Sequence, residues 1–211
     1  MHQTTVRFLA LGDSYTIGES VSESERWPAQ LVAALRMQHV AIADPLIIAR
    51  TGWTTDELDH AITEKNLQGT FDLVTLLIGV NNQYRGRSVE EYRDEFKALL
   101  RRAIGFAGER AGHVLVVSIP DWGAMPFAEG RDRKQIAKEI DAFNAVNWEE
   151  SVRAGVPYVD ITPLSREAER HPEFIAEDGL HPSGTQYKYW VELITPKVCK
   201  LLDVESTTEK K

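Results

Sequence analysis

The sequence predicts a three-layer α/β/α domain built on a mostly parallel sheet of about five strands. Five short apolar runs recur along the chain, at 6–11, 46–49, 73–78, 114–119 and 158–161. Three of them (VRFLAL, LVTLLI and VLVVSI) are nearly continuous rather than alternating, as strands covered on both faces are. Segments of helical spacing separate the runs, and strand–helix alternation builds parallel sheets through right-handed crossovers.

The first run leads directly into Gly12-Asp13-Ser14-Tyr15-Thr16-Ile17-Gly18-Glu19, in which Glu19, with Trp27 further on, reads as structural support for the loop after Ser14. Arg50-Thr51-Gly52-Trp53 follows the second run. Thr54-Thr55-Asp56-Glu57 then has the form of a capping box, with Leu58, Ala61 and Ile62 on the inner face of the helix it opens. The third run ends in Gly79-Val80-Asn81-Asn82. A second capping box, Ser88-Val89-Glu90-Glu91, precedes Val89, Tyr92, Phe96, Leu99 and Ala103 at helical spacing. Pro120-Asp121-Trp122-Gly123 follows the fourth run, and Ile136, Ile140 and Phe143 mark another helix. After the fifth run a longer excursion ends in Asp178-Gly179-Leu180-His181-Pro182-Ser183. The last helix carries Tyr187, Val191, Ile194, Val198 and Leu201, and Pro196 is expected to kink it. One domain is expected over 1–203, followed by a polar, frayed tail over 204–211.

A chain of 211 residues is long enough to bury a substantial core as one domain. Its apolar fraction of 43% and charged fraction of 27% are those of a globular protein. A formal net charge of −8 argues against nucleic acid or an anionic membrane surface as the main partner. Cys199 is the single cysteine, so an internal disulfide and a Cys/His zinc site are both excluded on numbers. No run approaches the roughly 18 apolar residues of a membrane span. With no signal segment in the chain as given, a cytoplasmic location is expected, or a secreted one if a leader has been removed. Oligomeric state cannot be read from the sequence.

Ligands of such folds bind beyond the carboxyl ends of the strands. A serine, a glycine, an asparagine and an Asp–His pair converge on that edge, which is the inventory acyl transfer needs. A serine hydroxyl is a weak nucleophile until an imidazole takes its proton. The imidazole needs a carboxylate to fix its tautomer and stabilise the imidazolium. The tetrahedral intermediate needs preorganised N–H donors, from backbone or from an Asn amide. Each residue also has a plainer reading: Ser14 and Gly52 as turn residues, Asn81 and Asn82 as a strand terminus. His171 is a rival to His181, but it lies in a polar stretch with no Asp three residues earlier. His39, His60 and His113 have no matched partners, and Cys199 reads as core filler.

Taken together, GDSYTIGE, the isolated Gly52, GVNN and DGLHP resemble, in order and spacing, the blocks of the SGNH (GDSL) hydrolases, over essentially the whole chain. The resemblance implies a flavodoxin-like α/β/α fold and cofactor-free hydrolysis of carboxylic esters or thioesters. Carried over by position, it makes Ser14 the nucleophile and the source of one oxyanion N–H. Gly52 would supply a second N–H and Asn81 a side-chain amide, with His181 as base and Asp178 as its orienting partner. Many relatives carry aspartate where this chain has Asn82, so an aspartate there is expected to be tolerated.

Tyr15, Trp53, Tyr84 and Trp122 are candidates to line the substrate pocket, with Met125 and Phe127 nearby. Arg85 and Arg87 could reach an anionic substrate, although a solvated surface explains them as well. The expected substrate is a small-molecule ester, with short-chain or acetyl esters leading and lysophospholipids or acyl thioesters as alternatives. No cofactor or metal is expected. A flavin- or nucleotide-binding module is disfavoured because GDSYTIGE lacks both a G-x-G-x-x-G pattern and a Walker lysine. A non-catalytic ligand-binding relative is disfavoured because every position the chemistry needs is filled.

Overall fold

The computed structural model describes residues 5–204. Five parallel strands form one sheet among the described residues: β1 (Phe8–Gly12), β2 (Leu46–Ala49), β3 (Leu73–Leu77), β4 (Val114–Val117) and β5 (Tyr158–Val159). Their spatial order is β2-β1-β3-β4-β5. Every residue of β1, β3 and β4 is buried, which is why these runs are continuously apolar. β2, at the sheet edge, is partly exposed instead, with only Ile48 buried.

Eight helices flank the sheet: α1 (Ser14–Ile17), α2 (Trp27–Met37), α3 (Thr55–Lys65), α4 (Val80–Tyr84), α5 (Val89–Phe106), α6 (Arg133–Ala154), α7 (Thr162–Arg166) and α8 (Gly184–Leu201). α2 packs on α8, while α5 packs on α3 and α6, giving a layer on each side of the sheet. Thr54 and Glu57 cap α3 reciprocally, whereas at α5 only half of the box forms, the Ser88 hydroxyl accepting the Glu91 N–H at 3.1 Å.

Trp27 is structural: it is fully buried and opens α2, with Pro28 in the first turn and Leu31 and Leu35 facing the core. Pro196 lies inside α8. Of the segment assigned to the tail, Val204 packs against the core, and 205–211 lie outside the described residues.

The order of strands reverses between β1 and β3, whose registers pair Gly12 with Leu77. The loops after these two strands therefore flank one crevice, where such sheets bind ligands. Two close approaches shape them. A Cβ on Gly12 would stand 2.5 Å from the Leu77 carbonyl oxygen, so β1 and β3 can be this close only without one. Gly79, at φ 126°, turns the chain from β3 into α4, and a Cβ there would strike the Tyr92 ring.

Asn82 ties α4 to its neighbours and is fully buried. Its Oδ1 accepts the Thr55 N–H at 3.1 Å, and its Nδ2 donates to Thr55 Oγ1 at 2.6 Å and Glu95 Oε2 at 3.2 Å. An aspartate would lose both donors and set a second carboxylate against Glu95. The expectation that aspartate is tolerated here is therefore reversed. Asn82→Asp should lower stability at neutral pH by about 2–3 kcal/mol in urea unfolding, and Asn82→Asp with Glu95→Gln should recover most of it. Equal stability of Asn82→Asp and wild type would show that the Thr55–Asn82–Glu95 contact is not stabilising.

Candidate active site

The site begins where β1 ends. Asp13 caps α1, its Oδ1 accepting the Tyr15 N–H at 3.0 Å, and Ser14 is the first helical residue. Gly18, at φ 71°, closes the helix after one turn by donating to the Ser14 carbonyl. Ser14 thus sits on a tight strand-to-helix corner, almost entirely buried, facing a cavity of about 190 Å³. Tyr15, Gly52, Asn81, Tyr84, Trp122 and His181 line the same cavity. A much larger groove of about 990 Å³ lies between α2 and α8 and contains none of these residues.

Asp178 and His181 share one closed turn. The Ala176 N–H donates to the His181 carbonyl at 2.8 Å, and a bridge between Ile175 and Pro182 shuts its base. Within it, Asp178 Oδ1 accepts the Leu180 and His181 N–H groups, each at 2.9 Å. Asp178 Oδ2 lies 2.6 Å from His181 Nδ1. An ionised carboxylate only accepts, so Nδ1 carries the proton and Nε2 is left as a base. Burial works against ionisation of Asp178, but the His181 N–H and ring, the Ser20 hydroxyl and the Leu180 N–H outweigh it. They hold the carboxyl well below its usual range. The buried His181 ring packs edge-on against Tyr15, with centroids 5.7 Å apart. No hydrogen bond joins Ser14 Oγ to His181 in this structure, as is common in unliganded sites of this kind.

Gly52 and Asn81 approach from the opposite side. Gly52 adopts φ 86°, and its carbonyl accepts Arg85 Nη2 at 2.7 Å. Asn81 Nδ2 donates to the Trp53 carbonyl at 2.9 Å. One amide hydrogen of Asn81 is thereby fixed and the other is left over. Neither the Ser14 nor the Gly52 N–H has a partner among the described residues. Two unpaired backbone donors and one spare amide donor therefore border the cavity.

All five residues that carry the chemistry in the sequence reading, Ser14, Gly52, Asn81, Asp178 and His181, meet here. Among the pocket candidates, Tyr15, Tyr84 and Trp122 line the cavity and Trp53 does not. The Trp53 side chain packs against the hydrophobic core, and only its carbonyl serves the site. Arg85 and Arg87 are not free cations for substrate. Arg85 binds Glu57 and Gly52, and Arg87 binds Asp56 and Glu95. Glu19 does support the loop, taking a hydrogen bond from Thr51 beside Gly52. His171 lies at the surface, paired with Glu173 and stacked on Phe174.

Some contributors escaped the sequence reading. Val80 and Leu180 complete the wall, and their adjacency to Asn81 and His181 is the signal for them. Phe127, already named in the sequence as a neighbour of the pocket, lines the cavity and joins Tyr84 and Trp122 in an aromatic cluster with centroids 5.3–6.4 Å apart. Arg131 lies over all three rings. Asp13 is completely buried, its Oδ2 has no partner among the described residues, and burial pushes its carboxyl up to about 7 against the lowering effect of the Tyr15 N–H.

A sequence profile of the GDSL-like lipase/acylhydrolase family matches residues 10–189. Similar solved structures include the lipase/acylhydrolase from Enterococcus faecalis, 20% identical with a TM-score of 0.69, the match covering 96% of this chain and 100% of that one. An acetylxylan esterase from Geobacillus stearothermophilus is 16% identical with a TM-score of 0.71, over 100% of both chains. The psychrotrophic esterase EstA from Pseudoalteromonas sp. is 15% identical with a TM-score of 0.68, over 93% of this chain and 98% of its own. At these identities the likeness is one of fold. No curated protein sequence matches the chain.

Asp13 makes stability depend on pH in a direction opposite to that of most carboxylates. Between its unfolded value of 3.8 and its folded value of about 7, the folded state keeps a proton that the unfolded state has released. Stability therefore falls as pH rises through that window and stays low above it. Asp13→Asn keeps the acceptor for Tyr15 but cannot ionise. Its stability relative to wild type should rise between pH 4 and pH 8, by up to about 4 kcal/mol, in urea unfolding at pH 4, 6 and 8. A difference that is flat across this range would mean that Asp13 is ionised in the folded protein at neutral pH.

Proposed function

Because the chain belongs to the GDSL-like lipase/acylhydrolase family, and is a carboxylic ester hydrolase, we propose that Ser14, His181 and Asp178 are its catalytic triad and that it cleaves short-chain or acetyl esters. The observation that carries this reading is the set of donors around one small cavity. Ser14 N–H, Gly52 N–H and the spare amide hydrogen of Asn81 border the space that also holds Ser14 Oγ and the His181 ring.

In the first half-reaction, Ser14 Oγ attacks the ester carbonyl carbon while His181 Nε2 takes the hydroxyl proton. The carbonyl oxygen becomes an oxyanion, stabilised by the three N–H donors. Asp178 stabilises the imidazolium through Nδ1. The intermediate collapses, the bond to the alcohol oxygen breaks, and His181 passes its proton to the departing alcohol. Water then attacks the acyl–Ser14 ester with His181 again as base, releasing the acid and restoring the serine. The acylation contact between Ser14 and His181 tightens when substrate fills the cavity.

A cavity of about 190 Å³ is smaller than the roughly 300–1,000 Å³ of pockets that enclose drug-sized ligands, which supports a short acyl group. Tyr84, Trp122 and Phe127 form an apolar wall for it.

A fluorophosphonate should label Ser14 alone, and Ser14→Ala should abolish turnover of 4-nitrophenyl acetate, a loss on the order of 10⁶ in kcat. Asn81→Ala should lower kcat by about 10²–10³ with KM little changed, because its donor acts on charge that forms only in the transition state. In a 4-nitrophenyl ester series from C2 to C12, activity should peak at C2–C4. Label on another residue would sink the triad, and a maximum at C10–C12 would point to lysophospholipids instead.

A further inference from the structure

Ser20 is held in the left-handed region, at φ 65°. Such a backbone strains a residue with a Cβ by roughly 1–2 kcal/mol, and glycine adopts it freely. The other non-glycine residues in this region, His39, Asn66, Glu109 and Asp203, lie just beyond the ends of α2, α3, α5 and α8, where a left-handed residue lets the chain leave the helix. Ser20 has no such duty, since Gly18 already closes α1. What serine offers here and glycine does not is a hydroxyl, and that hydroxyl donates to Asp178 Oδ2 at 2.7 Å.

The bond completes a full shell. Asp178 Oδ1 accepts the Leu180 and His181 N–H groups, and Oδ2 accepts His181 Nδ1 and Ser20 Oγ. A carboxylate has about four acceptor positions, so all are used. Three of the donors belong to the same turn as Asp178 and move with it. Ser20 is the one that anchors the carboxylate to the loop carrying the nucleophile. The preceding residue, Glu19, ties the same loop to Thr51 beside Gly52.

We propose that Ser20 is a positioning residue for hydrolysis: its strained backbone presents a hydroxyl that fixes the Asp178 carboxylate, and through it His181, relative to Ser14. This rests on the triad reading. Geometry held at this point matters when the imidazolium forms, so the effect falls on kcat and leaves KM alone.

Two substitutions separate the hydroxyl from the backbone. Ser20→Ala removes the hydroxyl and keeps the strain, while Ser20→Gly removes both and should fold readily. With 4-nitrophenyl acetate, kcat should fall about five- to thirty-fold in both variants, with KM within twofold of wild type. The melting temperature of Ser20→Gly should stand above that of Ser20→Ala. In an Asp178→Ala background, Ser20→Gly should add no further loss, because the partner of the hydroxyl is gone. Wild-type kcat in Ser20→Gly, kcat following stability across the two variants, or an additive loss in the Asp178→Ala background would each overturn the proposal. Ser14→Ala, measured alongside, keeps the two readings apart. If it retains turnover the triad reading fails, and if it is dead while Ser20→Gly is unimpaired, only the role of Ser20 falls.

Discussion

The close pairing of β1 with β3 is the constraint on which the site depends. Both strands are buried on both faces, so neither can present a polar side chain to water except beyond its last residue. Their register sets Gly12 against Leu77, at a separation that leaves no room for a side chain on Gly12. Two polar loops must then leave the sheet side by side, one into the corner that carries Ser14 and the other through Gly79 into α4. Asn81 is delivered to the cavity by that geometry, while Asn82, one residue on, is turned inward to Thr55 and Glu95. The adjacent asparagines thus do different work because a helix separates their directions by about 100°.

Much of this was legible in the sequence. Continuous apolar runs located β1, β3 and β4, since fully covered parallel strands have no exposed face to alternate with, and shorter apolar runs marked β2 and β5. Two capping boxes located α3 and α5, because a cap is a local exchange of hydrogen bonds that needs no tertiary context. Ser14, Gly52, Asn81 and His181, which line the cavity, and Asp178, which is bonded to His181, stood out because each follows a strand or closes a turn. α2 was missed for a physical reason. Its core-facing residues, Trp27, Leu31 and Leu35, have no side-chain cap ahead of them, and Pro28 in the first turn is a weak start signal on its own. Trp53 was misplaced because sequence adjacency to Gly52 does not say which way a ring points after a left-handed residue. Arg85 and Arg87 read as solvated surface residues because the partners that engage them, Glu57 and Asp56 in α3 and Glu95 in α5, are distant in sequence or on another element.

The site also concentrates unfavourable local states. Asp13 is buried and short of one partner, Ser20 is strained, and Gly52 and Gly79 take backbone angles that other residues avoid. Strain and buried polarity persist only where surrounding structure over-determines them. Here the surrounding structure is the sheet edge on one side and the α2–α8 pair on the other. The Ser14 loop is tied to the Asp178–His181 turn by the Ser20 hydroxyl and to the Gly52 turn by Glu19 and Thr51.

The acid–base turn has a consequence for how the protein becomes active during synthesis. Asp178 and His181 are joined by bonds within their own turn, but Ser14 lies near the other end of the described chain, and α8, which packs on α2, follows His181 directly. A growing chain exposes Ser14 first and receives His181 only after all five strands have been made. Until that turn is made, neither the Ser20–Asp178 hydrogen bond nor the Tyr15–His181 contact can form. On the triad reading proposed above, hydrolytic competence therefore arrives in one late step rather than growing with chain length.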